Sequence, residues 1–133
     1  MTRDKRSALM SRIRAKDTAP EWTVRRTVHK LGFRYRLHVS SLPGKPDLVF
    51  PRMHKVIFVN GCFWHRHNCA QGKSVPKTNA EYWESKFAEN HKRDIRARTR
   101  LRRLGWRVLV IWQCNCRNDE KLRKILEKFL KHN

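Results

Sequence analysis

Apolar positions recur along this chain with two different periods, and the switches between them mark the expected elements. Val24, Val28 and Leu31 share one helical face, in a segment that Asp17 or Thr18 can cap, with Pro20 in its first turn and Gly32 just past its end. From Phe33 to Val39 apolar and basic residues alternate, as in a strand with one wet face. Ser41 to Gly44 reads as a turn and Pro46 to Phe50 as a second strand. Lys55 to Asn60 is nearly all apolar and β-branched, which predicts a buried strand. Asn79 can cap a long, heavily charged helix that runs to Leu104 and is closed by Gly105. Trp106 to Trp112 predicts another buried strand, and a last helix from about Asp119 carries Leu122, Ile125, Leu126, Phe129 and Leu130 at helical spacing to pack on the sheet.

The sum is an α/β fold, a small central mixed β-sheet flanked by helices. Its 133 residues show no internal repeat and no dividing linker, so one domain is expected over 1–133. Two stretches stand apart from the pattern. Residues 3–16 alternate basic side chains with Leu9, Met10 and Ile13, as a short helix or an arm. Gly61 to Lys77 has no periodicity, yet it holds two cysteines, two histidines and an aromatic pair, so something other than a core must order it.

Charge narrows the partners. Lys and Arg total 32 against 11 acidic residues, a net charge of +21. So large an excess costs self-repulsion unless a polyanion neutralises it, and nucleic acid leads over an anionic membrane surface because no helix has a strongly apolar face. The longest apolar run, Val108 to Trp112, cannot span a bilayer, and the N-terminus lacks a signal-like apolar stretch. The expected location is the cytoplasm or the nucleoid. Charge does not separate an enzyme from a binder.

Chemistry does more. The cysteines are Cys62, Cys69, Cys114 and Cys116. In a reducing cytoplasm they point to metal rather than to disulfides. Cys62, His67 and Cys69 supply three zinc ligands from one irregular loop, and Cys114, directly after a strand, is a better fourth than Cys116. A closed set of four would be structural and would replace the core the loop lacks. His65, between these ligands, is placed for proton transfer or phosphate contact. Metal-assisted phosphodiester hydrolysis needs carboxylates to hold magnesium, and Asp47 stands in a turn leading into an apolar strand, where its side chain can be held rigidly.

The runs Leu42-Pro-Gly-Lys-Pro-Asp-Leu-Val, Val56-Ile-Phe-Val-Asn-Gly-Cys-Phe-Trp-His-Arg-His67 and Trp106-Arg-Val-Leu-Val-Ile-Trp-Gln-Cys114 together resemble the very short patch repair (Vsr) endonucleases. The resemblance extends from about Asp17 to the last helix. It implies a restriction-endonuclease-like fold and a magnesium-dependent nick 5′ of the thymine in a T:G mismatch left by deamination of 5-methylcytosine. By position, Asp47 looks like the family's magnesium ligand, with the carbonyl of Val59 as another, and His65 like its catalytic histidine. Glu21 matches an acidic residue of the site, and Cys62, His67, Cys69 and Cys114 match the structural zinc ligands.

One position departs from the pattern: Asn60 stands where the best-known members carry histidine, and an amide can orient water or phosphate but cannot exchange a proton near neutral pH. Phe63, Trp64 and Trp83 match aromatics that insert beside the mismatch, and Met10 an apolar residue entering from the other groove. Core packing against Phe87 is the competing account of Trp83. The basic residues of 3–16 and 92–103 are expected to clamp phosphates. The family works with mismatch-repair proteins and DNA polymerase I, and a single mismatch favours a monomer. The rivals are a zinc-braced DNA-binding module without activity, which Asn60 favours, and a nuclease with another DNA target.

Overall fold

The computed structural model describes residues 18–37, 39–62 and 79–132. The chain enters through α1 (Ala19–Lys30), whose cap is Thr18, its side chain accepting from the amide of Glu21. Gly32, just beyond the helix, takes the left-handed conformation that ends it (φ 92). Strands β1 (Arg36–Leu37), β2 (Leu48–Phe50) and β3 (Lys55–Asn60) follow, then the long α2 (Ala80–Arg103), β4 (Arg107–Trp112), a 3-10 turn (Gln113–Arg117) and α3 (Asp119–Lys131).

Among the described residues the sheet has four strands in the order β1-β2-β3-β4. The first two pairings are antiparallel and β3 lies parallel to β4, with Val59 opposite Ile111 and Asn60 opposite Trp112. Strand alternation divides the core in two. Leu48, Phe50, Ile57 and Ile111 meet Val24 and Val28 of α1 and Leu122, Leu126 and Leu130 of α3 on one face. Val49 and Val56 meet Leu101 of α2 on the other. The architecture is therefore α/β, a mixed sheet between helices. No helix among the described residues is long and apolar enough to cross a membrane.

Four details correct the expected pattern. Among its described residues, the strand anticipated over Phe33–Val39 pairs at Arg36 and Leu37, both exposed, at the outer end of the described sheet. The second strand starts at Leu48, since Pro46 has no amide to donate and Asp47 belongs to the approach. Asn79 occupies the cap of α2 in the left-handed region (φ 57), and its side chain makes no capping bond. Strand β4 is half-buried rather than buried, Ile111 alone being fully enclosed.

Candidate active site

The site forms where β2 begins beside the end of β3. Because those strands are antiparallel, Asp47 comes level with the last residues of β3. Its own amide donates to the carbonyl of Ile57 at 3.0 Å, and its carboxylate Oδ2 accepts from the amide of Val59 at 2.6 Å. The side chain is thereby fixed at both ends. Asp47 is only 8 % exposed. Burial pushes its carboxyl up to about 7, outweighing the Val59 hydrogen bond and the nearby Arg25, which favour the charged form. Glu21 adds to the rise through its charge and through a hydrogen bond between the two carboxyls.

Glu21 reaches this point from the first turn of α1. It is fully buried, and Arg25, one turn further on, is 3 % exposed and lies 3.0 Å from it through Nη2. The exposed Trp22 ring lies against the guanidinium of Arg25, its centroid 4.8 Å from Cζ. Sequence reasoning assigned Glu21 and passed over Arg25. The available signal was its position: a cation between Val24 and Val28 on the buried face, four residues after an acid. A buried ion pair of this kind is costly to assemble and more costly to break, so it defines the local geometry more than it adds net stability.

Asn60 ends β3 and is buried. Cys62, two residues on, is fully enclosed, and its Sγ accepts from the amide of Cys114 at 3.4 Å. The ends of two parallel neighbours thus bring together two cysteines that are 52 residues apart in sequence, through the main chain of one and the sulfur of the other. Cys116 points elsewhere: its thiol donates to the carbonyls of Pro20 and Trp112, and burial pushes it up to about 11, with Cys114 adding to the rise. It remains a protonated packing group.

Trp83 is half-buried in the first turn of α2, stacked on Phe87 at 6.0 Å and edge-on to the exposed Tyr82 at 5.3 Å. Met10, Phe63, Trp64, His65, His67 and Cys69 lie outside the described residues. Among those described, Asp47, Glu21, the Val59 amide and Arg25 converge, and Cys62 and Cys114 meet beyond the end of β3. No group of three metal-binding side chains occurs among them.

Helices on both faces of a mixed sheet, with buried carboxylates at one end and a net charge of +21, define an α/β protein whose charge suits a polyanionic partner. Comparison with known proteins gives that polyanion a name. The profile of the DNA mismatch endonuclease Vsr family matches residues 1–71. The chain is similar to Type II nicking enzyme V.XorIIP of Xanthomonas oryzae pv. oryzae, 44 % identical over 93 % of each chain. It is also similar to Type II nicking enzyme V.NmeAIP of Neisseria meningitidis serogroup A, at 38 % identity over 98 % of this chain and 92 % of that one. DNA mismatch endonuclease Vsr of Escherichia coli is 44 % identical over 88 % of this chain and 74 % of its own. The chain belongs to the Vsr family of DNA endonucleases.

Proposed function

We propose that this endonuclease cuts one strand of duplex DNA on the 5′ side of the thymine in a T:G mismatch, with magnesium held at Asp47 and a structural zinc bracing the loop after β3. The observation that carries the reading is the buried Asp47 and Glu21 pair at the sheet end, in a protein of net charge +21. The names of the relatives, mismatch endonuclease and nicking enzyme, support the substrate and the single-strand cut. The layout of the sheet supports a restriction-endonuclease-like fold.

The donor chemistry suits both ions. A carboxyl forced up to about 7 by burial is short of positive charge, and a divalent cation supplies it. Oxygen ligands from Asp47 and the Val59 carbonyl are the hard donors that magnesium prefers. The Cys62 sulfur, which receives an amide hydrogen bond from Cys114, is the soft donor that zinc takes in a structural site. His67 and Cys69 would complete that set. Bound magnesium would supply Lewis acidity toward the scissile phosphate.

The rest falls to the chain. The Val59 amide and the Ile57 carbonyl hold Asp47 in one orientation, and Arg25 holds Glu21 beside it. Asn60 can orient water or a phosphate oxygen, so proton transfer falls to His65 or to metal-bound water. Met10, Phe63, Trp64 and Trp83 act as wedges at the mismatch, where unstacking is cheapest. Cytoplasmic action as a monomer, together with mismatch-repair proteins and DNA polymerase I, completes the proposal.

Target choice is tested by comparing T:G with every other mismatch and with T:A in one set of flanking sequences. A nick confined to T:G is expected. Equal cutting of another mismatch or of intact duplex would assign a different target, and binding without any cut would make the chain a DNA-binding module.

A further inference from the structure

The turn that delivers Asp47 rests directly on α2. Its residues Gly44 and Lys45 both take left-handed backbone conformations (φ 76 and φ 49), and the Lys45 amide closes the turn on the Leu42 carbonyl at 3.1 Å. A Cβ at Gly44 would lie 2.6 Å from the Cβ of Ala97 and 3.3 Å from two ring atoms of Phe58. Two carbons at van der Waals separation need roughly 3.5–4.0 Å. The Ala97 methyl is anchored to the helix backbone and has no rotamer by which to move away. Ala97 is buried, and Leu101, one turn further along α2, packs under the same face of the sheet. Phe58 immediately precedes Val59, whose amide holds the Asp47 carboxylate. The same close approach therefore touches both supports of Asp47: the turn that leads into it and the strand that binds it.

Only Lys45 and Pro46 separate Gly44 from Asp47, and the proline ring fixes one of the intervening torsions. A displacement of the turn has little slack in which to dissipate before it reaches the carboxylate. We propose that Gly44 and Ala97 form a size-matched positioning pair, in which α2 is the stop that sets where Asp47 stands. The inference rests on the reading of Asp47 as the metal-holding carboxylate. Glycine is required at 44 for two separable reasons, the positive φ and the close approach, and substitutions at Ala97 change the close approach alone.

The test uses the full chain carrying Gly44→Ala, Ala97→Val, or Gly44→Ala with Ala97→Gly. Two quantities are read: the nicking rate on the duplex the unaltered protein cuts, and the amide cross-peak of Val59 in a proton–nitrogen correlation spectrum. A displacement near 1 Å at a reacting group costs about 10²-fold in rate. Gly44→Ala and Ala97→Val are each expected to lose about that much and to shift the Val59 peak, with folding retained. Adding Ala97→Gly to Gly44→Ala is expected to regain about tenfold and to move the peak back. A wild-type rate and an unmoved peak in Ala97→Val would overturn the proposal, as would a double variant no faster than Gly44→Ala. Should Gly44→Ala fail to fold, Ala97→Val decides on its own, because residue 44 stays glycine and its positive φ adds no strain. A protein that cuts no duplex at all would refute the reading of Asp47, while the Val59 peak would still decide whether Gly44 and Ala97 position that side chain.

Discussion

Asp47, the proposed metal-holding carboxylate, is held where a carboxylate is uncomfortable. Its ordinary value of 3.8 is raised to about 7 by burial, so between those limits the folded chain keeps a proton that the unfolded chain has released. Stability contributed by Asp47 therefore falls as pH rises from about 4 to about 7, by roughly 4 kcal/mol over the whole window at about 1.4 kcal/mol per pH unit. Urea titrations in magnesium-free buffer should show this slope in the natural protein and lose it in Asp47→Asn. Identical slopes in both would show that Asp47 is not the titrating group. Magnesium needs the ionised form, so its affinity should weaken as pH drops below about 7. Arg25 gives a second prediction. Arg25→Met leaves Glu21 buried opposite Asp47 without its cation and should cost about 3–5 kcal/mol in urea unfolding. Adding Glu21→Gln should return part of that loss, and a strictly additive double variant would show that the two do not interact. Asp47 was singled out by the family resemblance of the runs around it, since a Pro-Asp step before an apolar strand is by itself as well explained by a turn. Arg25 was not, because a basic residue within a helix reads as solvated until the face it occupies is known to be buried.

At the scale of elements, hydrophobic period predicted the two faces of the core well. The stripe of α3 and the run from Lys55 to Asn60 both appear where the pattern places them. The failures share one cause: pattern registers apolar character but not neighbours. The alternation from Phe33 to Val39 is real, yet among its described residues pairing is confined to Arg36 and Leu37, at the outer end of the described sheet. Lys55 illustrates the same limit. It begins an apolar strand and is buried, with its ammonium donating to the carbonyls of Phe129, Leu130 and His132 at 2.7, 3.2 and 2.7 Å. Burial, with Arg107 nearby, lowers its pKa, while the dipole at the C-terminus of α3 favours the charge. Lys55→Met should strip those carbonyls of their donor, destabilise the chain by about 2–3 kcal/mol and expose the last turn of α3 to early hydrogen exchange. Unchanged protection in residues 127–131 would contradict that role.

At the scale of the molecule, an acidic site sits in a chain of net charge +21, and the two serve different ends. In the proposed reading the carboxylates concern one phosphate, whereas the basic residues concern all the others. Arg96 and Arg100 are exposed on α2. Replacing both by alanine should weaken matched and mismatched duplexes alike and reduce the slope of log affinity against log salt by about 0.9 for each phosphate no longer neutralised. A weakening confined to the mismatched duplex would instead mark them as reading the lesion. Metal-dependent strand cleavage centred on Asp47, as proposed, can be tested in one assay. End-labelled T:G and T:A duplexes are incubated with the natural protein and with Asp47→Ala, with magnesium and with chelator. A single nick 5′ of the mismatched thymine is expected only with magnesium, only on T:G and only when Asp47 is present. Cleavage that survives in Asp47→Ala, or proceeds equally under chelation, would contradict it.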